Sequence, residues 1–358
     1  MGVMRNILTA PLSWIYGGAI SVRHTLFNWK ILKSQEFDIP IVCVGNITVG
    51  GTGKTPHTEY LIQVLSARYN VAVLSRGYKR RSKGFQLAAV NSSFKRIGDE
   101  PKQIKLKFPH IPVAVAEKRA EGIRRLRELH PEVNLIILDD GFQHRYVEPW
   151  INILLMDYNC PIWEDRLLPL GRLRDRRREI ERAHVVLVTK CPEDIRPLDF
   201  MMARKNLDLY PYQSLYFTRF ESDVPHAIFP TLVQRPLQKD DPVIALSAIA
   251  NPKHFLEHLD RDYEVVHRIT FPDHYAFKMK DIRRLEKMLA QSPPETAVVL
   301  TEKDAVKLLN SRKISDFLRS KLYYVPISVR FTDGKEVDFQ HQLERYVREN
   351  QKYSVINP

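Results

Sequence analysis

The sequence predicts an α/β protein with a mostly parallel sheet covered by helices and a second, smaller α/β domain. Short, continuous apolar runs alternate with amphipathic stretches, which is typical of strands buried on both faces of a sheet. The chain has 358 residues, 44% of them hydrophobic and 27% charged, an ordinary globular composition. Domains usually span about 100–200 residues, so two domains are expected.

The first domain is expected to begin with a strand at 40–44, followed by a helix from about Lys54 to Tyr69. In that helix Leu61, Val64 and Leu65 recur at the spacing of one buried stripe. A further helix is predicted at Glu117–Leu129, and further strands are predicted at Val71–Leu74, Val113–Ala116, Leu135–Leu138, Ile151–Met156 and Val185–Val188.

A linker is predicted around 219–241, which carries three prolines and no strong helical period. The resulting division is an N-terminal segment at 1–35, a core domain at 36–225, and a C-terminal α/β domain at 226–358 that closes over the active site. In the C-terminal domain, strands are expected at Val243–Leu246, Tyr263–Ile269, Ala297–Leu300 and Leu322–Val325, with helices at 252–260, 279–290, 303–310 and 337–349.

A glycine-rich loop, GNITVGGTGKT at residues 45–55, lies between the first strand and its helix and predicts a P-loop NTPase-like core. Backbone amides of such a loop cradle phosphates, while Lys54 would reach the terminal phosphates of ATP and Thr55 would bind Mg²⁺. Thr48 replaces the usual first glycine, so the loop resembles the glycine-doubled variant. The alternative is a flexible turn before a helix. The predicted ATP-binding residues are Thr48, Val49, Gly50, Gly51, Thr52, Gly53, Lys54 and Thr55.

A second motif, LIILDDGFQH at 135–144, ends an apolar strand in Asp139 and Asp140. Carboxylates at the C-terminal edge of a parallel strand point into the crevice where ligands bind, and Mg²⁺ prefers oxygen ligands. Asp139 or Asp140 would therefore hold the metal, directly or through water. A solvated turn is the alternative, because Asp-Gly is a common turn pair.

Three clusters are candidates for the acceptor side of the site. Asp99, in a Gly-Asp-Glu-Pro stretch, could accept a proton from a hydroxyl, and His274, in Phe-Pro-Asp-His-Tyr, could relay one. Either cluster could instead be a surface turn. Six arginines between 172 and 182 either grip phosphate or form a solvated helix face, and 75–81 adds another basic patch.

The net charge of +13 favours an anionic partner, either nucleic acid, a membrane surface or a phosphorylated substrate. The sequence has three cysteines and no C-x-x-C pair, which argues against a disulfide framework and against a zinc site. A nucleic-acid-binding module is a second alternative suggested by the charge, but the sequence contains no recognisable aromatic-basic RNA motif. A regulatory NTPase of the metal-insertion or partitioning type remains an alternative, although 188–192 offers Lys190 without the aspartate of a guanine-reading motif.

Residues 1–35 contain no acidic residue. Their apolar run at 7–20 is shorter than the roughly 20 residues that a spanning helix needs. Aromatic and basic residues without acids suit a segment in a membrane interface, but an ordinary helix packed on the core is equally compatible. The residues concerned are Arg5, Trp14, Tyr16, Arg23, Phe27, Trp29, Lys30 and Lys33.

Together the motifs resemble the tetraacyldisaccharide 4′-kinase family, the lipid A 4′-kinases. They occur in order from about residue 40 to 307: GNITVGGTGKTP, SRGY, GDEP, AEKR, LDDGFQH, LLPLGRLR, FPDHY and LTEKDAVK. The resemblance implies an ATP- and Mg²⁺-dependent kinase on the cytoplasmic face of the bacterial inner membrane. Its acceptor would be an acylated glucosamine disaccharide 1-phosphate, phosphorylated on the 4′-hydroxyl to give lipid IVA.

The resemblance also implies roles for matching residues. Asp99 would be the base, with His274 coupled to it across the interdomain cleft, and Lys54 would complete the catalytic set. Asp139 and Asp140 would serve the metal, and the N-terminal segment would dock on the bilayer. A monomer without a nucleic-acid partner is expected. The implied substrate contacts are Arg76, Tyr78, Glu100, Arg119, Gln143, His144 and Arg172.

Overall fold

The computed structural model describes residues 2–230, 234–309 and 314–356, with side chains for 9–230, 234–309 and 314–349. The strands are β1 (Ile41–Gly45), β2 (Val71–Ser75), β3 (Gln86–Leu87), β4 (Val113–Val115), β5 (Leu135–Asp139), β6 (Ile151–Asp157), β7 (Val185–Thr189), β8 (Ser214–Ser222), β9 (His226–Ala227), β10 (Pro242–Ser247), β11 (Glu264–Thr270), β12 (Ala297–Thr301), β13 (Leu322–Val325) and β14 (Ile327–Phe331). The helices are α1 (Gly2–Asn28), α2 (Lys54–Leu65), α3 (Phe94–Ile97), α4 (Asp99–Lys107), α5 (Arg119–Leu129), α6 (Pro197–Leu207), α7 (Lys253–Asp262), α8 (Met279–Ala290), α9 (Glu302–Leu308), α10 (Asp316–Arg319) and α11 (Glu336–Ile356), and Arg177–Arg182 form a 3₁₀ helix.

Nine strands form the larger sheet, in the order β14-β8-β7-β6-β1-β5-β2-β4-β3. All neighbouring pairs are parallel except those of the two edge strands, β3 and β14, which are antiparallel to their partners. The predicted mostly parallel α/β fold is confirmed. Strands β1 and β5 are direct neighbours, with Val44 opposite Asp139, so the glycine loop and the two aspartates leave the sheet side by side.

Helices cover both faces of the larger sheet, which explains the continuous apolar runs of its strands. On one face Leu61 of α2 and Ile104 of α4 belong to the buried cluster. On the other face Ile123 and Leu126 of α5 and Leu207 of α6 do so. The central strands β1, β2 and β5 are buried along their whole length, so the loops at their C-terminal ends start from a rigid frame.

The second sheet has five strands in the order β11-β10-β12-β13-β9. It is parallel except for the short strand β9, which pairs antiparallel with β13. Phe255 and Leu259 of α7 pack on one face, and Ile282 and Leu285 of α8 pack on the other. The elements predicted between 243 and 325 are present, with their ends shifted by a few residues.

The C-terminal part of the chain returns to the first sheet. Strand β14 pairs with β8, and Phe339, Leu343 and Val347 of α11 belong to the same buried cluster as Tyr60 of α2. The structure therefore differs from the predicted division, which placed all of 226–358 in the second domain. Residues 219–222 of the predicted linker belong to β8, while 231–233 of that linker and residue 310 of a predicted helix lie outside the described residues.

Helix α1 is 27 residues long and contains Pro11. Within the described parts of the chain, no helix combines the length and the apolar character needed to cross a bilayer.

Candidate active site

The glycine loop runs from the end of β1 to the start of α2. Gly50 and Gly53 have φ angles of +112° and +84°, a region that glycine occupies without a steric penalty. Gly53 also lies against Phe220, since a Cβ atom there would be 2.4 Å from Cζ of that ring. The Asn46 amide donates a hydrogen bond of 2.8 Å to the Thr52 hydroxyl. The loop is therefore held in shape from within, at a helix N-terminus that favours anions.

The loop is also held from outside by residues 172–174. These are the first residues of the arginine-rich segment, which spans 172–182. The Val49 amide donates to the Arg172 carbonyl over 2.7 Å, and the Arg174 amide donates to the Ile47 carbonyl over 2.8 Å. Thr48 forms a β-bridge with Leu173. Thr48 is buried in this contact, whereas Val49 is exposed together with the two glycines that follow it. Thr48 thus occupies the first-glycine position as part of a short two-stranded contact.

Asp139 ends β5 and is fully buried. Its Oδ1 atom accepts a hydrogen bond of 3.2 Å from the Thr58 hydroxyl of α2, and its Oδ2 atom has no hydrogen-bond partner among the described residues. Burial, followed by the nearby Glu100 and Asp140 carboxylates, raises the pKa of Asp139 to about 7. Thr55 lies buried one helical turn before Thr58. A buried carboxylate oxygen without a partner suits a hard cation.

Asp140 has a different environment, although it is the next residue in the chain. Its Oδ1 atom lies 2.7 Å from the Arg174 guanidinium and 3.7 Å from the Lys54 ammonium. Burial opposes ionisation, but Lys54 and then Arg174 outweigh it and hold the pKa of Asp140 below its usual value. A φ of +51° turns Asp140 out of the strand towards these cations. Lys54 and Asp140, both predicted, are brought together, whereas Arg174 was not singled out in the sequence.

Asp99 lies at the N-terminus of α4, and His274 reaches it from the second domain. The His274 Nδ1 atom is 2.7 Å from the Asp99 Oδ2 atom. Burial would raise the pKa of Asp99, but the hydrogen bond from His274 and the charge of Lys303 lower it to about 2. The Tyr78 ring lies 5.1 Å from the His274 ring, measured between centroids. Two of the three acceptor clusters predicted from sequence are thus in direct contact across the domain interface.

Lys303, at the start of α9, is a site residue that sequence reasoning missed. Its Nζ atom lies 3.3 Å from a Glu100 carboxylate oxygen, 3.4 Å from an Asp273 carboxylate oxygen and 3.4 Å from His274 Nε2. It belongs to the motif LTEKDAVK, one of those on which the family resemblance rests, but no chemical role was predicted for any residue of that motif. The motif was therefore the available signal, but only the tertiary structure places its lysine against the histidine.

Several of the implied substrate contacts lie around a half-buried histidine, His144. Burial, and then the positive charges of Arg119, Arg23 and Arg76, lower the pKa of His144 to about 4. Arg119 is buried, and its Nη1 atom donates to the Ala116 and Glu117 carbonyls. Its Nε atom has no hydrogen-bond partner among the described residues. This wall of the site is electropositive.

Two other implied contacts are engaged within the protein. The Gln143 side chain donates to the Asn46 carbonyl, and the Gln143 carbonyl accepts a hydrogen bond of 2.9 Å from Arg23. Arg172 is exposed and pairs with Asp165 over 3.3 Å. Arg174, two residues further along, is the arginine of this segment that contacts Asp140.

Helix α1 packs on the arginine-rich segment through one face. His24 is fully buried, with Nε2 2.7 Å from Asp175 and Nδ1 3.1 Å from Glu179. The Tyr16 hydroxyl donates to the Arg174 carbonyl over 3.0 Å. The opposite face leaves large apolar side chains exposed, namely Leu12, Trp14, Ile15 and Val22, with Trp29 and Ile31 following the helix.

Phosphate loops that run into a helix beside a strand ending in acidic residues are typical of nucleotide-using phosphotransferases, and β1, β5 and α2 have this arrangement. The fold and the site thus define a P-loop phosphotransferase. The chain belongs to the family described as Tetraacyldisaccharide-1-P 4′-kinase, whose model matches residues 5–348.

Individual relatives cover nearly the whole chain. A tetraacyldisaccharide 4′-kinase from Phocaeicola vulgatus is 45% identical over 350 residues, which are 96% of either chain. One from Flavobacterium johnsoniae is 39% identical over 350 residues, 98% of this chain and 99% of the relative. The crystal structure of LpxK from Aquifex aeolicus in complex with ATP has 28% identity and a TM-score of 0.73, covering 94% of this chain and 98% of that one. These likenesses do not favour the regulatory NTPase alternative.

Proposed function

We propose that this chain transfers the terminal phosphate of ATP to the 4′-hydroxyl of a tetraacyldisaccharide 1-phosphate, giving lipid IVA in lipid A biosynthesis. The observation that carries the proposal is the contact between Asp99 and His274, which joins the two domains at 2.7 Å. A carboxylate held in this way, together with Lys54 and the aspartates that end β5, supplies the groups that a phosphoryl transfer needs.

On the acceptor side, the Asp99 carboxylate takes the proton of the 4′-hydroxyl. The sugar oxygen then forms a bond to the γ-phosphorus, the bond from that phosphorus to the bridging oxygen breaks, and ADP leaves with the electron pair. The low pKa of Asp99, about 2, keeps the carboxylate ionised at neutral pH. Such a weak base is sufficient because phosphoryl transfer depends mainly on orientation and on stabilisation of charge. His274 orients Asp99.

On the nucleotide side, the loop at 48–55 would hold the phosphates of ATP, with Lys54 against the terminal ones. Asp139 is the residue best suited to Mg²⁺, because its buried Oδ2 atom has no other partner among the described residues. Asp140 and the Thr55 hydroxyl would complete the protein's contribution. When bound, Mg²⁺ would neutralise charge on the transferred phosphate.

The electropositive wall formed by Arg76 and Arg119 around the neutral His144 would face the phosphorylated acceptor. Tyr78, Glu100, Gln143 and Arg172 would line the rest of its site. We further propose that the second domain closes over bound ATP. Closure would bring residues 271–275 to the glycine loop and exclude water, which would otherwise compete with the hydroxyl as the nucleophile.

The exposed apolar face of α1 supports docking on a membrane surface. Trp14 is 80% exposed, and no acidic residue occurs in 1–35 to oppose anionic lipids. We assign the enzyme to the cytoplasmic face of the bacterial inner membrane, as a peripheral monomer whose substrate keeps its acyl chains in the bilayer. A nucleic-acid partner is not part of this proposal.

The direct test is a transfer assay with γ-labelled ATP and a tetraacylated disaccharide 1-phosphate in detergent. Label in the lipid, lost when the 4′-hydroxyl is blocked, is the expected result. Release of inorganic phosphate at the same rate with and without the lipid would contradict the proposal and favour a regulatory NTPase.

A further inference from the structure

Lys303 lies between the two domains and contacts groups from both. Its side chain is 19% exposed, and its ammonium meets Glu100 of the first domain and Asp273 and His274 of the second. Burial lowers the pKa of Lys303, but the Glu100, Asp99 and Asp273 carboxylates outweigh this and raise it above its usual value. The side chain is therefore a permanent cation at physiological pH.

An ammonium group has three donors and no acceptor. A ring nitrogen that forms a hydrogen bond with it must accept through its lone pair and therefore carries no proton. His274 Nε2 lies 3.4 Å from the Lys303 ammonium in hydrogen-bonding geometry. The other ring nitrogen, Nδ1, lies 2.7 Å from a carboxylate that is ionised and accepts only.

We propose that Lys303 is a positioning residue that sets the tautomer of His274, with Nε2 unprotonated and Nδ1 donating its proton to Asp99. The catalytic consequence rests on the proposed role of Asp99 as the base. In this tautomer the imidazole orients Asp99 as a neutral donor. His274 donates to Oδ2, so the proton of the hydroxyl goes to the other carboxylate oxygen, Oδ1, which also accepts a hydrogen bond of 3.1 Å from the Glu100 amide.

Asp273 is the group that would favour the opposite arrangement. Its Oδ2 atom lies 3.5 Å from His274 Nε2, at the outer limit of hydrogen bonding, and could accept a proton from that nitrogen. Its other oxygen pairs with Lys303 over 3.4 Å. Lys303 therefore both occupies the lone pair of Nε2 and neutralises the carboxylate that would draw a proton onto it.

The test combines nitrogen NMR of ¹⁵N-histidine-labelled full-length protein with kinetics on the lipid acceptor. Lys303→Met removes the charge with little change in volume, and Lys303→Arg keeps a cation that cannot accept. The matched control is Lys107→Met. Lys107 also joins the domains, lying 2.7 Å from Glu59 and 3.2 Å from Glu302, but it forms no hydrogen bond with His274. His274→Gln identifies the His274 signals among those of the 12 histidines.

In the wild type we expect a protonated Nδ1 and an unprotonated Nε2. In Lys303→Met the Nε2 signal should move towards the protonated range, and kcat should fall by about tenfold or more while KM for ATP stays within about twofold. Lys303→Arg should restore the wild-type signals and much of kcat. Lys107→Met should keep the wild-type signals, even if looser domain contact changes its rate.

A protonated Nε2 in the wild type would overturn the proposal, as would unchanged His274 signals in a folded Lys303→Met. Equal changes of the His274 signals in Lys303→Met and Lys107→Met would also overturn it, because Lys303 would then act only as a contact between the domains. The spectrum is independent of turnover. If Asp99→Asn remained fully active, the assignment of the base would fail while the tautomer remained measurable.

Discussion

Three carboxylates at the edge of the first sheet differ because of their immediate neighbours. Asp139 faces buried surroundings and other carboxylates, which raise its pKa to about 7. Asp140 faces Lys54 and Arg174, which lower its pKa, and Asp99 receives a hydrogen bond from His274. Pairs of titratable groups with opposite shifts are characteristic of functional sites. At this scale the residue type alone says little, because position in the fold decides the charge state.

Replacement of Asp99 by Asn tests the base. The amide would fill the same space as the carboxylate but could not take the proton of the 4′-hydroxyl, so kcat should fall by about 10²–10⁴-fold while the affinity for ATP stays near that of the wild type. Turnover would be followed by lipid phosphorylation and ATP affinity by calorimetry.

Asp316→Asn is the matched control for Asp99→Asn. Asp316 is exposed on α10, where it pairs with Arg319, and its loss should leave both measurements unchanged. Near-normal turnover in Asp99→Asn would show that another group accepts the proton.

At the scale of elements, helix α1 has two faces that differ in burial. One face packs as an ordinary helix, with His24 and Phe27 buried. The other face exposes aromatic and aliphatic side chains, as an interfacial helix does. The packed face rests on the arginine-rich segment, and that segment contacts the glycine loop. The helix and the loop are therefore joined through one short stretch of chain.

The double variant Trp14→Glu/Ile15→Glu tests the exposed face of α1. Both side chains are exposed, so the melting temperature should change little, whereas binding to vesicles containing anionic phospholipid should weaken by about tenfold or more. Cosedimentation with vesicles measures the binding, and circular dichroism measures the melting.

Val337→Glu serves as the control for α1. It places a new acid on an exposed apolar position of α11, a helix that packs in the same buried cluster as Tyr60 of α2. Equal loss of vesicle binding in both proteins would indicate a general effect of negative charge and would argue against α1 as the docking element.

At the scale of the whole molecule, the two domains are joined by chain crossings and by partly buried ion pairs. The chain leaves the first sheet after β8 and returns to it at β14. Lys107 bridges Glu59 of α2 and Glu302 of α9. The C-terminal helix α11 then packs on the first domain, so the folding of that domain depends on residues from both ends of the chain.

Phe339→Ala tests this return. Phe339 is buried against Phe331, Tyr60 and Tyr216. Its truncation leaves a cavity in the first domain and should lower the free energy of unfolding by about 3–5 kcal/mol. Urea denaturation would measure the loss, with Phe317→Ala, at an exposed position of α10, as the control. Equal, small changes in both variants would contradict the packing of α11 on the first sheet.

Glu59→Gln tests the buried ion pairs through their pH dependence. Burial, and then Glu302, raises the pKa of Glu59 to about 7, from an ordinary value of 4.5. Between pH 5 and 8 the folded state therefore holds more protons than the unfolded state, so the contribution of Glu59 to stability falls as pH rises. Relative to Glu59→Gln, the wild type should lose about 1–3 kcal/mol over this range.

Thermal unfolding at several pH values would measure the difference between wild type and Glu59→Gln. The control is Glu128→Gln, because Glu128 is exposed and pairs with Arg125 at the surface. The stability difference between the wild type and this variant should not depend on pH in this way. A wild type that gains stability over Glu59→Gln as pH rises would mean that Lys107 keeps Glu59 ionised throughout.

Much of the first domain could be predicted, because its signals are local. The strand before Gly45, the helix after Lys54 and the aspartates that end β5 follow from short stretches of sequence, and adjacent parallel strands place them at one edge. The contact between Asp99 and His274 came only from the family resemblance. Arg174 could not be chosen from its five neighbouring arginines, because all of them fit the same local pattern.

The class of fold, the glycine loop and the acidic strand end could be predicted from local sequence, since periodicity and turn chemistry act over a few residues. Tertiary structure decided that α11 returns to the first sheet, that Arg174 meets Asp140, and that Lys303 meets His274. These contacts join residues that are distant in the chain, and which of many similar side chains meet depends on how the whole core packs.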